Sequence, residues 1–315
     1  MKRALVVGIN DYPINPLTGC VNDANTIGTI LESNGDGSPN FSVKMMTSPS
    51  SNITRASLRE AIEQLFAGDP EMVLFYFSGH GLLKNTGGYL VTTDVKKYDE
   101  GVSMDDVLNL ANQSLAKNKV IILDCCHSGA LGSPTLSGTT LAQLSEGLSI
   151  LTASRDFESA IEFNGSGIFT SLVEDALKGG AADLRGNINP GSLYAYVDEA
   201  LGAWEQRPVF KTNVKSLTPI RYITPKIPLE TIRKITAYFP SPEAEHQLNP
   251  TYEDTEPTAI PENVAIFKNL QKFQSVGLVV PVDEEYMYFA AINSKSCRLT
   301  ALGFQYWRLV SEKKL

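Results

Sequence analysis

Histidine, cysteine and tryptophan are all scarce in this sequence. The 315 residues include three histidines, four cysteines and two tryptophans. Four cysteines, two of them adjacent at Cys125 and Cys126, are too few and too badly spaced for a disulfide framework, which indicates a reducing compartment. Any mechanism that needs an imidazole base has a short list of candidates here.

The sequence also has fewer basic than acidic residues and lacks long apolar runs. Lys and Arg total 27 against 35 Asp and Glu, a formal charge of −8, which argues against a surface for nucleic acid. The apolar stretch at the start ends after about six residues, too short for a signal-peptide core. No other stretch has the ~20 apolar residues that a membrane helix needs. We therefore expect a cytoplasmic protein that does not span a membrane and for which nucleic acid is not the default partner.

What the sequence does contain is typical of a globular α/β protein. It is 43% hydrophobic, and short apolar runs alternate with helical patterns. This order predicts a mostly parallel sheet covered by helices on both faces, a three-layer α/β/α sandwich. The apolar runs are 3–9, 72–77, 119–124 and 148–152, and the helical patterns include 20–33, 54–67, 103–116, 168–178 and 191–204.

The second half of the chain changes character twice. Short strands at 208–210 and 220–223 are expected to close the first domain, residues 1–224. Seven of the 17 prolines fall in 225–261, which predicts a linker with His246 exposed to solvent. Residues 262–315 regain order as a small α+β unit, predicted to be winged-helix-like. Its seven bases against five acids are a thin excess for binding phosphate.

Two motifs follow buried strands. Ser78-Gly-His-Gly81 comes after the run 72–77, and Asp124-Cys-Cys-His-Ser-Gly129 comes after the run 119–124. Open parallel sheets place their active sites at the carboxyl ends of strands, so both motifs are expected in one cleft. An imidazole beside a cysteine supports the reactive thiolate, and backbone N–H groups at a glycine can stabilise an oxyanion.

These motifs, about 45 residues apart in this strand order, resemble the caspase-like cysteine peptidases, in particular metacaspases and their prokaryotic relatives, over about residues 1–223. The resemblance implies that His80 is the catalytic histidine and Cys126, directly before His-Ser-Gly, the nucleophile. It also implies an oxyanion hole made by backbone at Gly81 and Cys126. Cys125 is then a neighbour, expected to be a buried small side chain.

The same resemblance implies a substrate pocket. Relatives with this signature accept Arg or Lys before the scissile bond in an acidic pocket, whose positions match Asp124 and Asp23, the latter in Gly19-Cys-Val-Asn-Asp23. Cys20 and Ser78 match the other pocket positions. Two carboxylates around one cavity are expensive to keep ionised unless a cation arrives, so a basic side chain is the natural ligand.

Other interpretations of these residues stay open. Asp23 also suits the first turn of a helix, and Asp124 also suits backbone hydrogen bonds at a strand end. Arg155 keeps a preference for acidic substrates as a minority option, although the Gln-Ala-Cys-Arg-Gly motif of animal caspases is absent. His127 adjoins the nucleophile, but consecutive side chains diverge, which favours a structural role.

No cofactor is expected, and calcium is the one option that the resemblance raises. Asp105 and Asp106 resemble the central pair of an aspartate cluster in related metacaspases, with Asp94 as an outlying member. The further acid of that cluster falls here on Ser133. Because a hard cation needs six to eight oxygens, the loss of a carboxylate favours calcium independence. Asp105 and Asp106 also suit a helix's first turn.

Self-processing is also predictable from the chain. Many caspase relatives mature by cutting the loop after the catalytic cysteine, but between Cys126 and Ser154 the only charged residue is Glu146. A peptidase with basic or Asp specificity finds no site of its own there. We expect an enzyme that works uncut in that loop and is controlled by a regulatory protein partner through 262–315.

Two function classes remain. The first is a cysteine endopeptidase that cuts protein substrates after Arg or Lys; by resemblance, prokaryotic relatives of this kind serve as effectors of stress, cell-death or antiphage defence systems. The alternative is a regulatory module in which 262–315 binds DNA or a partner and the peptidase fold is a scaffold. The presence of both His80 and Cys126 favours the peptidase.

Overall fold

The computed structural model describes residues 1–125, 143–153, 162–163, 166–201 and 207–315. Within these ranges the chain forms two compact units, Met1–Thr224 and Pro225–Leu315. None of the helices in the described ranges is long and apolar enough to cross a membrane.

The first unit is built on a central sheet that has six strands in the described part of the chain. Five are parallel, and the sixth, at one edge, is antiparallel to its neighbour. In spatial order the strands are β12 (Val209–Asn213), β8 (Leu148–Thr152), β7 (Asn118–Asp124), β3 (Met72–Ser78), β1 (Lys2–Gly8) and β2 (Phe41–Thr47).

Helices cover both faces of this sheet. The central strand β3 is buried along its whole length, and its side chains alternate between two apolar cores. Phe75 and Phe77 belong to one core, and Leu74 and Tyr76 to the other. The first core includes side chains of α2 (Arg55–Phe66) and α3 (Met104–Gln113), and the second includes those of α1 (Cys20–Glu32), α4 (Ile168–Asp175) and α5 (Pro190–Leu201). The predicted three-layer α/β/α sandwich is confirmed.

Smaller sheets surround the central one. A three-stranded antiparallel sheet directly follows the Ser78-Gly-His-Gly81 motif. The run 220–223 does not join the central sheet: part of it forms a two-stranded ribbon with residues after α4, which corrects its expected closing position. These strands are β4 (Gly81–Lys84), β5 (Gly87–Lys96), β6 (Asp99–Ser103), β9 (Glu162–Phe163), β10 (Ser166–Gly167), β11 (Asn187–Ile188) and β13 (Arg221–Tyr222); a π-helical turn (Ala176–Gly180) continues α4.

The second unit is an α+β arrangement around a three-stranded antiparallel sheet with spatial order β14-β16-β15. Its elements are α6 (Leu229–Ile232), α7 (Ile235–Tyr238), β14 (Glu245–Gln247), a short 3-10 helix (Pro250–Tyr252), α8 (Pro261–Ser275), β15 (Val279–Pro281), α9 (Met287–Ile292), β16 (Ser296–Leu299) and α10 (Ala301–Ser311). The winged-helix-like character of 262–315 stays a prediction.

The predicted linker 225–261 is wrong, because this stretch is folded into the second unit. Its strand β14 pairs with β16, and Glu245 lies opposite Arg298. Ile232 and Phe239 are fully buried. Prolines mislead here because they stand at turns and helix starts, where a missing N–H costs nothing.

His246 is likewise not a solvated linker residue. Its Nδ1 atom lies 3.0 Å from the carbonyl oxygen of Tyr238, and its Nε2 atom lies 3.2 Å from the hydroxyl of Tyr252. The imidazole also contacts the ring of Phe239 edge-on. The side chain is half-buried among aromatic rings and helps to hold β14 in the second unit.

Candidate active site

The two sequence motifs leave the sheet side by side. Strands β1, β3 and β7 are parallel and in register, so that Gly8 lies opposite Ser78 and Ser78 lies opposite Asp124. One further hydrogen bond, 3.3 Å long, runs from the Gly79 N–H to the Asp124 carbonyl oxygen. The predicted nucleophile Cys126 and its neighbour His127 lie outside the described residues, as do Ser133 and Arg155. The chain that leads to Cys126 therefore starts from the strand next to the one that carries His80.

His80 is held from both sides by the loop after β1. Its Nε2 atom lies 2.7 Å from the carbonyl oxygen of Asn15, and its backbone N–H donates to the Tyr12 hydroxyl at 2.9 Å. The rings of Tyr12 and His80 are in contact, with centroids 4.6 Å apart. Because a carbonyl oxygen only accepts, Nε2 carries a proton in the neutral imidazole, which leaves Nδ1 as the basic atom.

Tyr12 is the support on which this arrangement depends. It is buried, and its hydroxyl donates to the carbonyl oxygen of Val91 at 3.3 Å. A Cβ atom on Gly79 would lie 2.4 Å from the Tyr12 hydroxyl oxygen. Only glycine permits the chain to pass this close, which explains the glycine before His80. Burial raises the pKa of Tyr12, so it stays a neutral hydrogen-bonding group.

The side chains of Asp23, on α1, and Asp124, at the end of β7, lie close to each other. Both side chains are buried, with 2% and 5% of their surfaces exposed. The Asp23 Oδ2 atom accepts hydrogen bonds from the Ser78 hydroxyl and the Gly167 N–H, both at 3.2 Å. A Cβ atom on Gly167 would lie 2.4 Å from the Asp124 Oδ2 and 3.4 Å from the Asp23 Oδ2. The two carboxylates thus converge on one glycine.

A chain of hydroxyl groups holds the Asp124 carboxylate. The Thr170 hydroxyl, on α4, donates to the Asp124 Oδ2 at 2.6 Å. The Tyr76 hydroxyl lies 2.6 Å from the Thr170 hydroxyl, whose single proton is already used, so Tyr76 donates. Burial, followed by the negative charges of Asp124 and Asp23, raises the pKa of Tyr76. The Asp124 side chain is therefore connected through Thr170 on α4 to Tyr76 on the central strand β3.

The remaining predicted residues are placed as follows. Ser78 touches Asp23, as described above. Cys20 is buried at the start of α1. Cys125 is fully buried in the core on the α2 face. Gly81 begins β4, one residue after His80, and pairs with Leu90. Its role in an oxyanion hole stays a prediction, as do the roles of Ser78 and Cys20.

The aspartates considered for calcium serve other contacts. The Asp94 Oδ1 accepts from the Arg55 N–H at 3.0 Å and from the Thr92 hydroxyl at 2.7 Å. Asp106 forms an ion pair with Arg59 at 3.1 Å. Asp105 and Asp106 lie in the first turn of α3, where acids stabilise a helix. Among the residues that the structure describes, no three His, Cys, Asp or Glu side chains are grouped to hold a metal ion.

Sequence reasoning missed the residues that support this site. Tyr12, Asn15, Gly167 and Thr170 lie outside the motifs and approach them only through the fold. Tyr76 did carry a signal, because a tyrosine in an otherwise apolar buried strand needs a partner for its hydroxyl. The sequence does not say that this partner is a threonine 94 positions away.

Solved structures with this fold include a caspase. Caspase-1 from Spodoptera frugiperda superimposes with a TM-score of 0.53 at 15% identity, over 71% of this chain and 90% of that one. A protein from Geobacter sulfurreducens gives the same TM-score at 17% identity, over 71% of this chain and 99% of that one. A search of curated proteins finds no match to the sequence. The first unit therefore has the caspase fold.

The family follows from the sequence itself. A model of the family described as caspase domain matches residues 1–218. The chain belongs to this family, and the coarse class that the family and fold assign is a cysteine peptidase, a hydrolase that acts on protein substrates.

Proposed function

We propose that this protein is a cysteine endopeptidase that cleaves protein substrates after Arg or Lys through a dyad of Cys126 and His80. The observation that carries the proposal is the convergence of the buried Asp23 and Asp124 carboxylates on Gly167, at the strand ends that also present the two motifs. Such a pair has an obvious counterpart in a cationic side chain that enters the same space.

The hydrogen bonds of His80 support its proposed part in the reaction as the base. With Nε2–H donated to the Asn15 carbonyl oxygen, the Nδ1 lone pair takes the proton of the Cys126 thiol. The thiolate attacks the substrate carbonyl carbon. The oxyanion that forms accepts hydrogen bonds from the backbone N–H groups of Gly81 and Cys126. The imidazolium then returns its proton to the leaving amine, and the C–N bond breaks. Water, deprotonated by the same imidazole, hydrolyses the thioester and releases the second product.

The acidic pair explains why Arg and Lys are the expected residues. A guanidinium or ammonium group neutralises part of the negative charge and offers donors to carboxylate oxygens. An acidic side chain would instead add a charge of the same sign in a buried space.

Peptide cleavage by matched variants tests the acidic pocket. Fluorogenic peptides that differ only in Arg, Lys, Asp or Ala before the reporter are offered to the wild type, Asp23→Asn, Asp124→Asn and the control Asp36→Asn. Asp36 is exposed, and its carboxylate bonds only locally to Ser38. Because loss of one partner of a buried ion pair costs about 3–5 kcal/mol, each pocket variant is expected to lower kcat/KM for Arg and Lys peptides by about a hundredfold to a thousandfold. Preferred cleavage after Asp in the wild type would refute the assignment.

A second set of variants tests the nucleophile and the histidine. Cys126→Ala and His80→Ala are expected to abolish cleavage, whereas Cys125→Ala retains it because Cys125 is packed in the core. Labelling of the wild type with a chloromethyl ketone that carries Arg, followed by mass spectrometry, identifies the modified thiol. A label on Cys125 with retained activity of Cys126→Ala would reassign the nucleophile.

We also propose that the second unit binds a regulatory protein. Three exposed aromatic side chains cluster at the start of α9, where the ring of Phe289 contacts those of Tyr286 and Tyr288 edge to face. The acids at 283–285 directly precede them, which favours a protein over nucleic acid as the partner. In the full-length chain, Tyr288→Ser with Phe289→Ser is expected to remove regulation and keep basal cleavage; salt-sensitive binding of duplex DNA would support the alternative function.

For the biological role we propose a cytoplasmic effector of a prokaryotic stress, cell-death or antiphage defence system. Support comes from the resemblance to metacaspases and prokaryotic caspase relatives alone. Phage plaques are counted on cells that carry the native chain with its neighbouring genes, or the same cells with Cys126→Ala. Protection that persists in Cys126→Ala would separate the role from proteolysis.

A further inference from the structure

The antiparallel sheet β4-β5-β6, which follows His80 in the chain, forms one wall of a cavity of about 840 Å3. It is open to solvent over much of its surface and does not enclose a ligand from all sides. It lies within the first unit and is separate from Asp23 and Asp124, which do not line it. No step of the proposed reaction uses it.

The floor of the cavity is apolar and fixed. Leu82 on β4 and Val95 on β5 line it and at the same time pack against the buried core on the α2 face. Ile14 also lines it and is 75% exposed. An exposed aliphatic group beside an apolar floor favours a ligand that itself carries apolar groups.

The rim of the cavity is positive. Lys84, Lys96 and Lys97 line it, and Glu100 is its single acidic lining residue among those described. Lys84 forms a loose ion pair with Glu100 at 3.7 Å, and the Lys97 ammonium lies over the Tyr98 ring. This local excess of positive charge stands on a chain whose formal charge is −8. An acidic ligand is repelled by most of the molecule and attracted here.

Connectivity places the cavity on the histidine side of the active site. Ile14 directly precedes Asn15, whose carbonyl oxygen holds His80, and Leu82 follows His80 by two residues. In peptide hydrolysis by a cysteine–histidine pair, the histidine protonates the leaving amine, so the segment after the scissile bond departs past the imidazole. The acidic pair of Asp23 and Asp124 receives the residue on the other side of that bond.

We propose that this lysine-rimmed cavity, lined by Ile14, Leu82, Lys84, Val95, Lys96 and Lys97, binds the part of the protein substrate that follows the scissile bond. It selects segments in which acidic and aliphatic side chains alternate. The lysines bind the acids, and Leu82, Val95 and Ile14 bind the aliphatic groups. This inference rests on the proposed peptidase function and adds a second determinant of substrate choice to the basic residue before the bond.

Three internally quenched peptides test the proposal on the full-length protein. All share one Arg-containing segment before the bond; after it they carry Ser-Glu-Leu-Glu-Leu, Ser-Gln-Leu-Gln-Leu or Ser-Glu-Ser-Glu-Ser. Because an exposed ion pair changes affinity by roughly twofold to fivefold, the Glu-Leu peptide is expected to have a kcat/KM about tenfold above the Gln-Leu peptide. This advantage shrinks at high ionic strength. The Glu-Ser peptide is also expected to be cleaved more slowly than the Glu-Leu peptide.

A charge-matched pair of variants separates the cavity from general electrostatics. The first is a triple variant with Lys84→Gln, Lys96→Gln and Lys97→Gln. It is expected to lose the preference for Glu over Gln and still to cleave the Gln-Leu peptide. Lys44→Gln with Lys178→Gln and Lys215→Gln changes the same charge at exposed sites outside the cavity and is expected to keep the preference.

The failures of the two proposals are distinguishable. Equal cleavage of all three peptides by the wild type, or a preference that survives loss of the cavity lysines, overturns the cavity proposal and leaves the peptidase proposal intact. Absence of cleavage of every Arg-containing peptide overturns the peptidase proposal, and the cavity proposal with it.

Discussion

The carbonyl oxygen of Asn15 lies 2.7 Å from the Nε2 atom of His80. In the proposed reaction this backbone carbonyl takes the part that a carboxylate has in a serine–histidine–aspartate triad, because it fixes the tautomer and the orientation of the imidazole. A neutral acceptor adds no charge beside the imidazole. Asn15 itself has a left-handed backbone, with φ of 55°.

This backbone conformation predicts a specific response to substitution at position 15. Asn and Gly tolerate positive φ, whereas a β-branched residue pays about 1–2 kcal/mol for it. Asn15→Val is therefore expected to displace the carbonyl and to lower kcat about tenfold with little change in KM. Steady-state kinetics of Asn15→Val and the matched control Asn15→Gly check this. Equal kcat values for the two variants would contradict it.

The hydroxyl chain from Tyr76 through Thr170 to Asp124 predicts coupled effects on stability. Thr170→Val removes a donor from a carboxylate and the acceptor of a buried tyrosine, and is expected to cost about 1.5–3 kcal/mol of unfolding free energy. Tyr76→Phe alone costs about 1 kcal/mol. The double variant costs less than the sum, because it leaves no tyrosine hydroxyl without its acceptor.

Urea denaturation of the four proteins measures this coupling. Thr29→Val is a suitable control, since Thr29 is exposed on α1 and its hydroxyl bonds only to the Asn25 carbonyl of the same helix. It is expected to change the unfolding free energy by less than about 0.5 kcal/mol. If the changes in unfolding free energy caused by Tyr76→Phe and Thr170→Val were strictly additive, the two hydroxyl groups would not be energetically coupled.

The buried thiol of Cys297 is expected to make the folded protein less stable in alkaline solution. Burial, and secondarily the charge of Glu245, raises the pKa of this thiol from 9.0 to about 12. Above pH 9 the unfolded chain has released a proton that the folded chain still holds, so stability falls as pH rises from 9 towards 12. The slope is up to about 1.4 kcal/mol per pH unit.

Denaturation at pH 8 to 11 tests the Cys297 prediction. In a Trp204→Phe background, fluorescence reports Trp307, whose indole N–H donates to the Phe239 carbonyl oxygen within the second unit. Cys297→Ala is less stable at pH 8, because it creates a small cavity, but its stability declines less steeply with pH. Parallel pH profiles for the two proteins would rule out the thiol as the cause.

The charge-poor segment after Cys126, the proposed nucleophile, predicts a chain that stays uncut there. Glu146 is the single charged residue between Cys126 and Ser154, so an enzyme with basic or Asp specificity finds no site of its own. Mass spectrometry of the purified wild type and of Cys126→Ala is expected to show no terminus between positions 127 and 154. A cut in that interval in the wild type alone would sink this expectation.

The central strands of the fold were predictable, and so was the edge strand β12 from the run 208–210, but the strand at the opposite edge, β2, was not. Runs such as 72–77 are apolar on both faces because they lie inside the sheet, and this pattern is local. Strand β2 is half exposed at the sheet edge, so its alternating residues carry a weaker signal. The prediction of a linker at 225–261 failed because this stretch has the proline content of a linker. Its order comes from the pairing of β14 with a strand about 50 residues further along the chain.

The local sequence by itself determined where the central strands end and which residues follow them, because a histidine between glycines and a cysteine pair after an apolar run are consecutive in the chain. Only the tertiary structure decided what surrounds them. Asn15, Gly167 and Thr170 reach the strand ends from distant parts of the chain, as do the lysines of β4 and β5 around their cavity. Parallel strands bring their ends together through long crossovers, and no short-range pattern encodes which side chains then meet.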